Sequence, residues 1–590
     1  MEVRDTLAQC SLFASLPAAA LERLAALCEP VHLRGGDLLF RVGTPSAYLY
    51  IVVLGRLRAQ LADGTVAGEI ARAEPIGEIG LLSGEAHGAD VHALRDSLLL
   101  RIPGRELLEF VSAYPSALLE MARTIVHRLR RNQRVTALES ARRVQSIALL
   151  PATPDVRVGP IAQALCQAMR SGGRTVENLD ATAVNRVLGP GRAQTPIADT
   201  EANRALLAWL NQREHADQHL LYSAEAGDGP WAERCLRQSD RILFVADAHA
   251  APRQSALLET LRTVELHAPV DLLLLRAPAQ AVGDVAGWRQ VVGADAHFFV
   301  RPDAEADFAS LGRQLTGRAP GLVLSGGGAR GFAHIGLIRA LEELKIPVDV
   351  AGGTSMGAFI SALLACGLDS REIQRVTRET FVTNNYLNDY VLPRVSLIRG
   401  RKFLTRLKAV FGERRIEALA KPYFCVSTNL TQASTMVHNE GELATWVGTS
   451  MAIPGMAPPV AWHGDLLVDG AVTNSLPTDV MQGLRRGPII ASDVSTEGGL
   501  RAPGIEGPDP EALLRRDGNR AQVSLIDILF GGIALTSESG VKLRASRADL
   551  YIRMPVAGIA LFDWKRLDEI AQRGYEFATG RLGNFRHDFL

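Results

Sequence analysis

Cysteine is sparse in this chain. Cys10, Cys28, Cys166, Cys235, Cys366 and Cys425 are scattered over 590 positions and never form a C-x-x-C pair. That usage excludes a disulfide framework and a thiolate zinc site, and it fits reduced thiols in a cytoplasmic setting. Long hydrophobic runs are missing too. No uncharged apolar stretch reaches the roughly 18 residues that a membrane span needs. The N-terminus carries Glu2 and Asp5 without an apolar core, so no signal peptide is expected. Excess charge of one sign is absent. Lys plus Arg and Asp plus Glu both number 64, which removes the bulk-charge argument for nucleic acid. No cluster of metal-ligating side chains stands out, and neither a metal nor a cofactor is expected. What remains is an ordinary globular chain, 47% hydrophobic and 22% charged, long enough for roughly three to four domains.

The stretch from Gly321 to Gly357 reads as strand, glycine turn, helix, strand, sharp turn, helix. Leu322-Val323-Leu324 leads into Ser325-Gly326-Gly327-Gly328-Ala329-Arg330-Gly331. Ile335, Leu337, Ile338, Leu341 and Leu344 then recur at helical spacing. Pro347 to Ala351 returns as a strand, and Gly352-Gly353-Thr354-Ser355-Met356-Gly357 opens a helix of small residues. Gly353-x-Ser355-x-Gly357 between strand and helix is a nucleophile-elbow pattern. Its backbone turn is too tight for side chains two positions either side of the serine, and glycine relieves that clash. The serine falls at a helix N-terminus, where free N–H groups favour negative charge. The turn at Gly326 to Gly328 can aim N–H groups at a developing oxyanion. A near repeat, Gly448-Thr449-Ser450-Met451-Ala452, reads as a structural loop.

A serine nucleophile needs a base. Asp469 offers a carboxylate, following Leu466-Leu467-Val468 on the turn Asp469-Gly470-Ala471. The glycine turn, the Ser355 elbow and Asp469-Gly470-Ala471, in that order and spacing, resemble patatin-like phospholipases. Ala471 is a minor departure, since glycine is also common there. The resemblance implies a Ser–Asp dyad with Ser355 as nucleophile and Asp469 as base. It implies an oxyanion hole at Gly326, Gly327 and Gly328, extended to Ala329 and Arg330, and elbow glycines Gly353 and Gly357. A Ser–Asp–His order would leave only His587 after Asp469, on a charged tail. His334 reads as a packed helix residue.

Residues 1–135 read as the first domain. Short strand-like runs separated by Gly35-Gly36, Gly43, Gly55 and Asp63-Gly64 have the spacing of a small β-barrel. Pro75-Ile76-Gly77-Glu78-Ile79-Gly80-Leu81-Leu82 follows, and the whole is similar to a cyclic-nucleotide-binding domain. That resemblance implies a phosphate cassette at Gly77 and Glu78 closed by an arginine. His87 stands at the arginine's place. Arginine is a permanently charged fork, whereas an ordinary histidine is mostly neutral at pH 7, so cyclic AMP and GMP are expected to bind weakly or not at all. Residues 104–143 read as helical. Arg123, His127, Arg128, Arg130, Arg131, Arg134, Arg142 and Arg143 make the end basic: a solvated linker helix, or a contact with anionic lipid at the inner membrane face.

Residues 144–318 alternate strand and helix, the pattern of a parallel α/β sheet. Expected strands are Ser146–Leu150, Thr175–Leu179, Leu220–Ser223, Ile242–Ala246, Val270–Leu275 and His297–Val300. The turn after the first, Pro151-Ala152-Thr153-Pro154-Asp155, has no G-x-x-x-x-G-K-[ST], so this domain is expected to be a scaffold without a P-loop. Trp231 to Asp240 with the strand after it resembles bacterial proteins of the neuropathy-target-esterase type. Residues 319–590 complete an α/β hydrolase, ending in a helix from Trp564 to Leu582. The resemblance implies a serine esterase acting on lysophospholipids or phospholipids through an acyl-enzyme. The other reading is a regulatory membrane-binding module with a vestigial hydrolase, against which stand the intact Ser355, Asp469 and glycine turn. The oligomeric state is left open.

Overall fold

The computed structural model describes residues 3–64, 66–114, 146–197, 200–213, 218–263, 268–277, 282–384, 386–495, 508, 511, 540 and 542–583. The chain forms two compact units, Met1–Gly312 and Arg313–Leu590. No helix among the described residues is long and apolar enough to cross a membrane.

The first unit opens with two short helices, Val3–Gln9 and Ala18–Ala25, followed by eight antiparallel strands: β1 (Glu29–Leu33), β2 (Leu38–Phe40), β3 (Tyr48–Leu54), β4 (Leu57–Gln60), β5 (Val66–Ile70), β6 (Pro75–Ile76), β7 (Asp90–Ala93) and β8 (Ser97–Pro103). They make two four-stranded sheets, ordered β1-β8-β3-β6 and β2-β7-β4-β5. Alternation along β3 sets the layers. Leu49, Ile51 and Val53 pack on the flanking helices, while Val52 joins Leu57, Val91 and Leu99 in a second cluster. The short helix Glu78–Ser83, which the sequence did not announce, starts at Gly77 in a left-handed conformation with φ 89°. The basic segment from Arg123 to Arg143 lies outside the described residues.

Six parallel strands follow: β9 (Ser146–Pro151), β10 (Thr175–Leu179), β11 (Gln218–Ser223), β12 (Arg241–Asp247), β13 (Val270–Leu275) and β14 (Ala296–Val300), ordered β10-β11-β9-β12-β13-β14. The near-continuous apolar runs of β9, β12 and β13 are those of strands covered on both faces, whereas the edge strand β10 is half exposed, and each of the six lies within two residues of its expected bounds. After β9 the chain turns into helix α1 (Gly159–Ser171). The free N–H groups at that turn are occupied from within the protein. The Glu225 carboxylate accepts from Val158 N at 3.2 Å and Gly159 N at 2.9 Å, where a helix N-terminus would otherwise attract an anion. A buried ionic joint ties this sheet to the barrel. Asp240 lies 3.3 Å from Arg95 and 3.6 Å from Arg56, and it accepts Ser146 N–H.

The second unit holds β15 (Gly321–Leu324), α2 (Ala333–Glu343), β16 (Val350–Gly353), α3 (Met356–Ala365), β17 (Tyr423–Asn429), β18 (Ser434–His438), α4 (Leu443–Ser450), β19 (Val460–Trp462), β20 (Asp465–Asp469), β21 (Ile489–Asp493), β22 (Leu550–Arg553) and α5 (Leu567–Leu582). The sheet runs β19-β20-β17-β16-β15-β21-β22, with β18 also paired to β17. Five strands are parallel; β18, β19 and β20 make an antiparallel edge. The final helix packs along α2 rather than on the end of the sheet. Gly336 and Gly574 permit the approach: a side chain at either would meet backbone at 2.1 and 2.3 Å. The charged stretch 501–520 and the apolar stretch 526–535 lie outside the described residues, apart from 508 and 511.

Candidate active site

The strand–turn–helix from β16 to α3 positions Ser355. Its backbone sits at φ 54° and ψ −121°, a conformation non-glycine residues adopt only when the surroundings enforce it. The enforcement is steric. A Cβ at Gly353 would meet the Gly357 carbonyl carbon at 2.6 Å, and one at Gly357 would meet Leu324 O at 2.2 Å. Thr354 is tied on both sides, its N–H donating to Leu324 O and its hydroxyl to Asn474 O.

β20 ends on Asp469, and its antiparallel pairing with β17 carries that residue back toward the elbow. The Ser355 hydroxyl donates to Asp469 Oδ2 at 2.7 Å. Asp469 Oδ1 accepts Ala471 N–H at 2.8 Å. Both side chains are buried, Asp469 at 2% exposure and Ser355 at 7%. Burial raises the Asp469 carboxyl from 3.8 to about 6, partly offset by the bonds from Ser355 and Ala471. A carboxylate so poised is ionised at neutral pH yet basic enough to share a hydroxyl proton.

Several of the N–H groups expected to face an oxyanion are already engaged. Gly326 N–H donates to Ser475 O, Ala329 N–H to Leu561 O and Arg330 N–H to Gly327 O. The Arg330 side chain donates to Ile559 O at 2.8 Å. Gly327 and Gly328 N–H have no partner among the described residues, and both glycines line the cavity that Ser355 faces. That cavity, of about 390 Å³, is walled mainly by apolar side chains, among them Met356, Phe381, Ile398, Phe403, Ile453 and Trp564. A second cavity of about 570 Å³ shares Phe381, Leu387, Met456, Phe562 and Trp564 with it. Such walls suit a hydrocarbon chain.

Among the described residues no histidine joins the site. His334 is fully buried on α2 and bonded to Ser325 O and Ser492 Oγ, and burial lowers its pKa to about 4. It braces the strand end before the glycine turn, as a packed helix residue. His463 is exposed in a turn, and His587 lies outside the described residues. One contributor was misread from the sequence. Ser450 is the last residue of α4 rather than part of a loop, and its hydroxyl accepts Ser355 N–H at 3.0 Å while donating to Val426 O at 2.7 Å. The near repeat of the elbow pattern was the signal; only the fold gives it meaning. In the barrel, Glu78 is buried and the His87 ring stacks on Phe40, 3.6 Å between centroids. Burial lowers the His87 pKa, so the ring is neutral where the cassette calls for a cation.

Three family profiles match along the chain: a cyclic nucleotide-binding domain at residues 30–114, a neuropathy target esterase family P-loop like domain at 143–288, and a patatin-like phospholipase at 322–481. The middle profile is P-loop like in name, although the turn after β9 lacks the phosphate-binding glycine–lysine sequence. An uncharacterized NTE family protein of Mycobacterium tuberculosis is 30% identical over 98% of this chain and 96% of its own length. Patatin-like phospholipase domain-containing protein 7 of Rattus norvegicus is 31% identical over 79% of this chain and 38% of its own. Patatin-like phospholipase domain-containing protein 6 of Homo sapiens is 29% identical over 94% of this chain and 44% of its own. The catalytic unit is thus a hydrolase of the phospholipase type. With a relative matched at that identity over nearly its whole length, the chain belongs to the neuropathy target esterase family.

Proposed function

We propose that the protein is a serine esterase that hydrolyses acyl ester bonds of lysophospholipids, and of phospholipids, through a Ser355–Asp469 dyad. The observation that carries this reading is the 2.7 Å bond from Ser355 Oγ to Asp469 Oδ2 beside a largely apolar cavity. Asp469 accepts the hydroxyl proton as Oγ attacks the ester carbonyl. Gly327 and Gly328 N–H receive the oxyanion. The glycerol oxygen leaves with the proton from Asp469, and the acyl chain stays on Oγ. Water then attacks the acyl-enzyme, giving its proton to Asp469. The fatty acid departs, and Oγ recovers that proton. Lysophospholipids rank first because that is the preference the resemblance to neuropathy-target-esterase-type proteins implies.

Fatty acid release from lysophosphatidylcholine tests the reading. Wild type is expected to turn over, with Ser355→Ala and Asp469→Asn each slower by at least about 1000-fold and folded by circular dichroism. Full activity in either variant would refute the dyad. No release by wild type from this or other acyl esters would return the case to a vestigial hydrolase.

A further inference from the structure

Among the described residues, the three most exposed large apolar side chains lie within six positions of one another: Leu392 at 78%, Tyr390 at 72% and Val395 at 68%. They crown a hairpin closed by an antiparallel bridge between Tyr390 and Ile398. Looseness does not explain their exposure. Val391 N–H donates to Leu397 O, Arg399 N–H to Asp389 O, and Leu397 and Ile398 N–H to Gly455 O and Met456 O. The Asp389 carboxylate accepts Gly400 and Lys402 N–H. A braced hairpin that holds apolar groups in water signals a partner.

We propose that this hairpin docks the protein on the surface of a bilayer containing anionic phospholipid, its tip inserted among the acyl chains beside the cavity mouth. Three features select lipid. The first is charge: residues 390–412 contain no Asp or Glu. Arg394, Arg399 and Arg401 form no ion pair among the described residues, while Arg406 and Lys408 pair with Glu379 and Glu442. Free cations flanking an apolar tip match anionic head groups above hydrocarbon. The second is backbone polarity. Pro393 has no N–H, and Arg394 N–H is bonded to Leu392 O, which lightens the cost of taking the tip out of water. The third is continuity. Leu387, Ile398, Arg399 and Arg401 at the hairpin base line the cavity that holds Ser355, and Tyr390 lines its neighbour. A lipid tail leaving the bilayer along this hairpin meets apolar wall. The inference rests on the esterase reading only for the route of substrate, because docking is measurable without turnover.

The test is sedimentation of the full chain with vesicles, using wild type, Ser355→Ala, Leu392→Asp/Val395→Asp and Arg394→Glu. Wild type and Ser355→Ala are expected to pellet with mixed phosphatidylcholine and phosphatidylglycerol, and less with phosphatidylcholine alone. The double variant should lose at least about tenfold in partition and in release from vesicle-borne substrate, with hydrolysis of a short, soluble acyl ester unchanged. Arg394→Glu leaves the apolar tip in place and should weaken binding to the mixed vesicles only. A double variant that pellets like wild type, or a wild type that stays in the supernatant, overturns the proposal. So does a concentration-dependent dimer lost in the double variant without vesicle binding, which would make the hairpin an interface between copies. If no ester is turned over, the partition data still decide docking while the esterase reading falls separately.

Discussion

The hydroxyl of Ser450 accepts the backbone N–H of Ser355 at 3.0 Å and passes a hydrogen bond on to Val426 O. The strained backbone of Ser355 is thus pinned to β17 through a side chain 95 residues away. Ser450→Ala would leave a buried N–H without a partner, a loss of about 1–3 kcal/mol, and would free the elbow to relax. We expect kcat to fall roughly tenfold to a hundredfold with KM little changed. The acid limb of the pH profile should stay in place, because Asp469 is untouched. Steady-state kinetics across pH check this; an unchanged kcat would mean that Gly353 and Gly357 hold the turn unaided.

Asp469 should leave its mark on both rate and stability. The proposed base must be ionised, so kcat/KM for a soluble ester is expected to rise with pH through about 6 and level off above it. Stability runs the other way. The folded-state value lies above the ordinary 3.8, so the native state holds the proton more tightly than the unfolded chain. Wild type therefore loses stability as pH rises from 3.8 through about 6, up to about 3 kcal/mol by the size of that shift. Asp469→Asn, expected to be inactive, should melt higher than wild type at pH 8, the gap closing toward pH 4. Thermal unfolding at both pH values, with the rate profile, reads the two signs independently.

What could be read in the sequence was local. Gly353 announced the elbow because its clash is with Gly357 in the same turn, although Gly357 itself meets the distant Leu324, and β9, β12 and β13 announced themselves because strands buried on both faces are near-continuously apolar. Asp469 was legible through its glycine turn and the strand before it. Long-range partners were not. The Ser450 bond, the Glu225 cap on α1 and the Asp240 joint each link positions dozens of residues apart, and no period or motif marks them. The strands β18, β19 and β22 escaped for a different reason. They sit at or near sheet edges and are half exposed: β18 and β22 carry polar residues where a central strand would be apolar, and β19 is only three residues long.

The Phe40–His87 stack predicts a silent nucleotide cassette. The ring is buried, neutral and packed face to face on Phe40, so no fixed cation meets a cyclic phosphate. Calorimetry of the full chain with cyclic AMP or cyclic GMP is expected to show no binding in the micromolar range. A micromolar isotherm for either nucleotide would show that another group supplies the charge.

The Asp240 joint predicts how barrel and sheet hold together. Its side chain and those of Arg56 and Arg95 are nearly all inaccessible to solvent, and Arg95 also donates to Gln238 O at 3.1 Å. Removing only the carboxylate would take the shared counter-charge from two buried guanidinium groups, leaving Arg56 to Glu69 at 3.7 Å, a loss of up to about 3–5 kcal/mol. Removing all three charges leaves no guanidinium short of a counter-charge, and Glu69 keeps Arg58 at 3.1 Å. Asp240→Leu should therefore lower the first transition in a calorimetric scan of the full chain, and Arg56→Met/Arg95→Met/Asp240→Leu should restore most of the loss. The contrast separates an ionic joint from simple packing, because packing alone would make the triple variant the worse of the two. Esterase activity adds an independent readout. Ser355 and Asp469 belong to the other compact unit, so a falling transition with unchanged turnover would localise the damage to the unit that holds the joint.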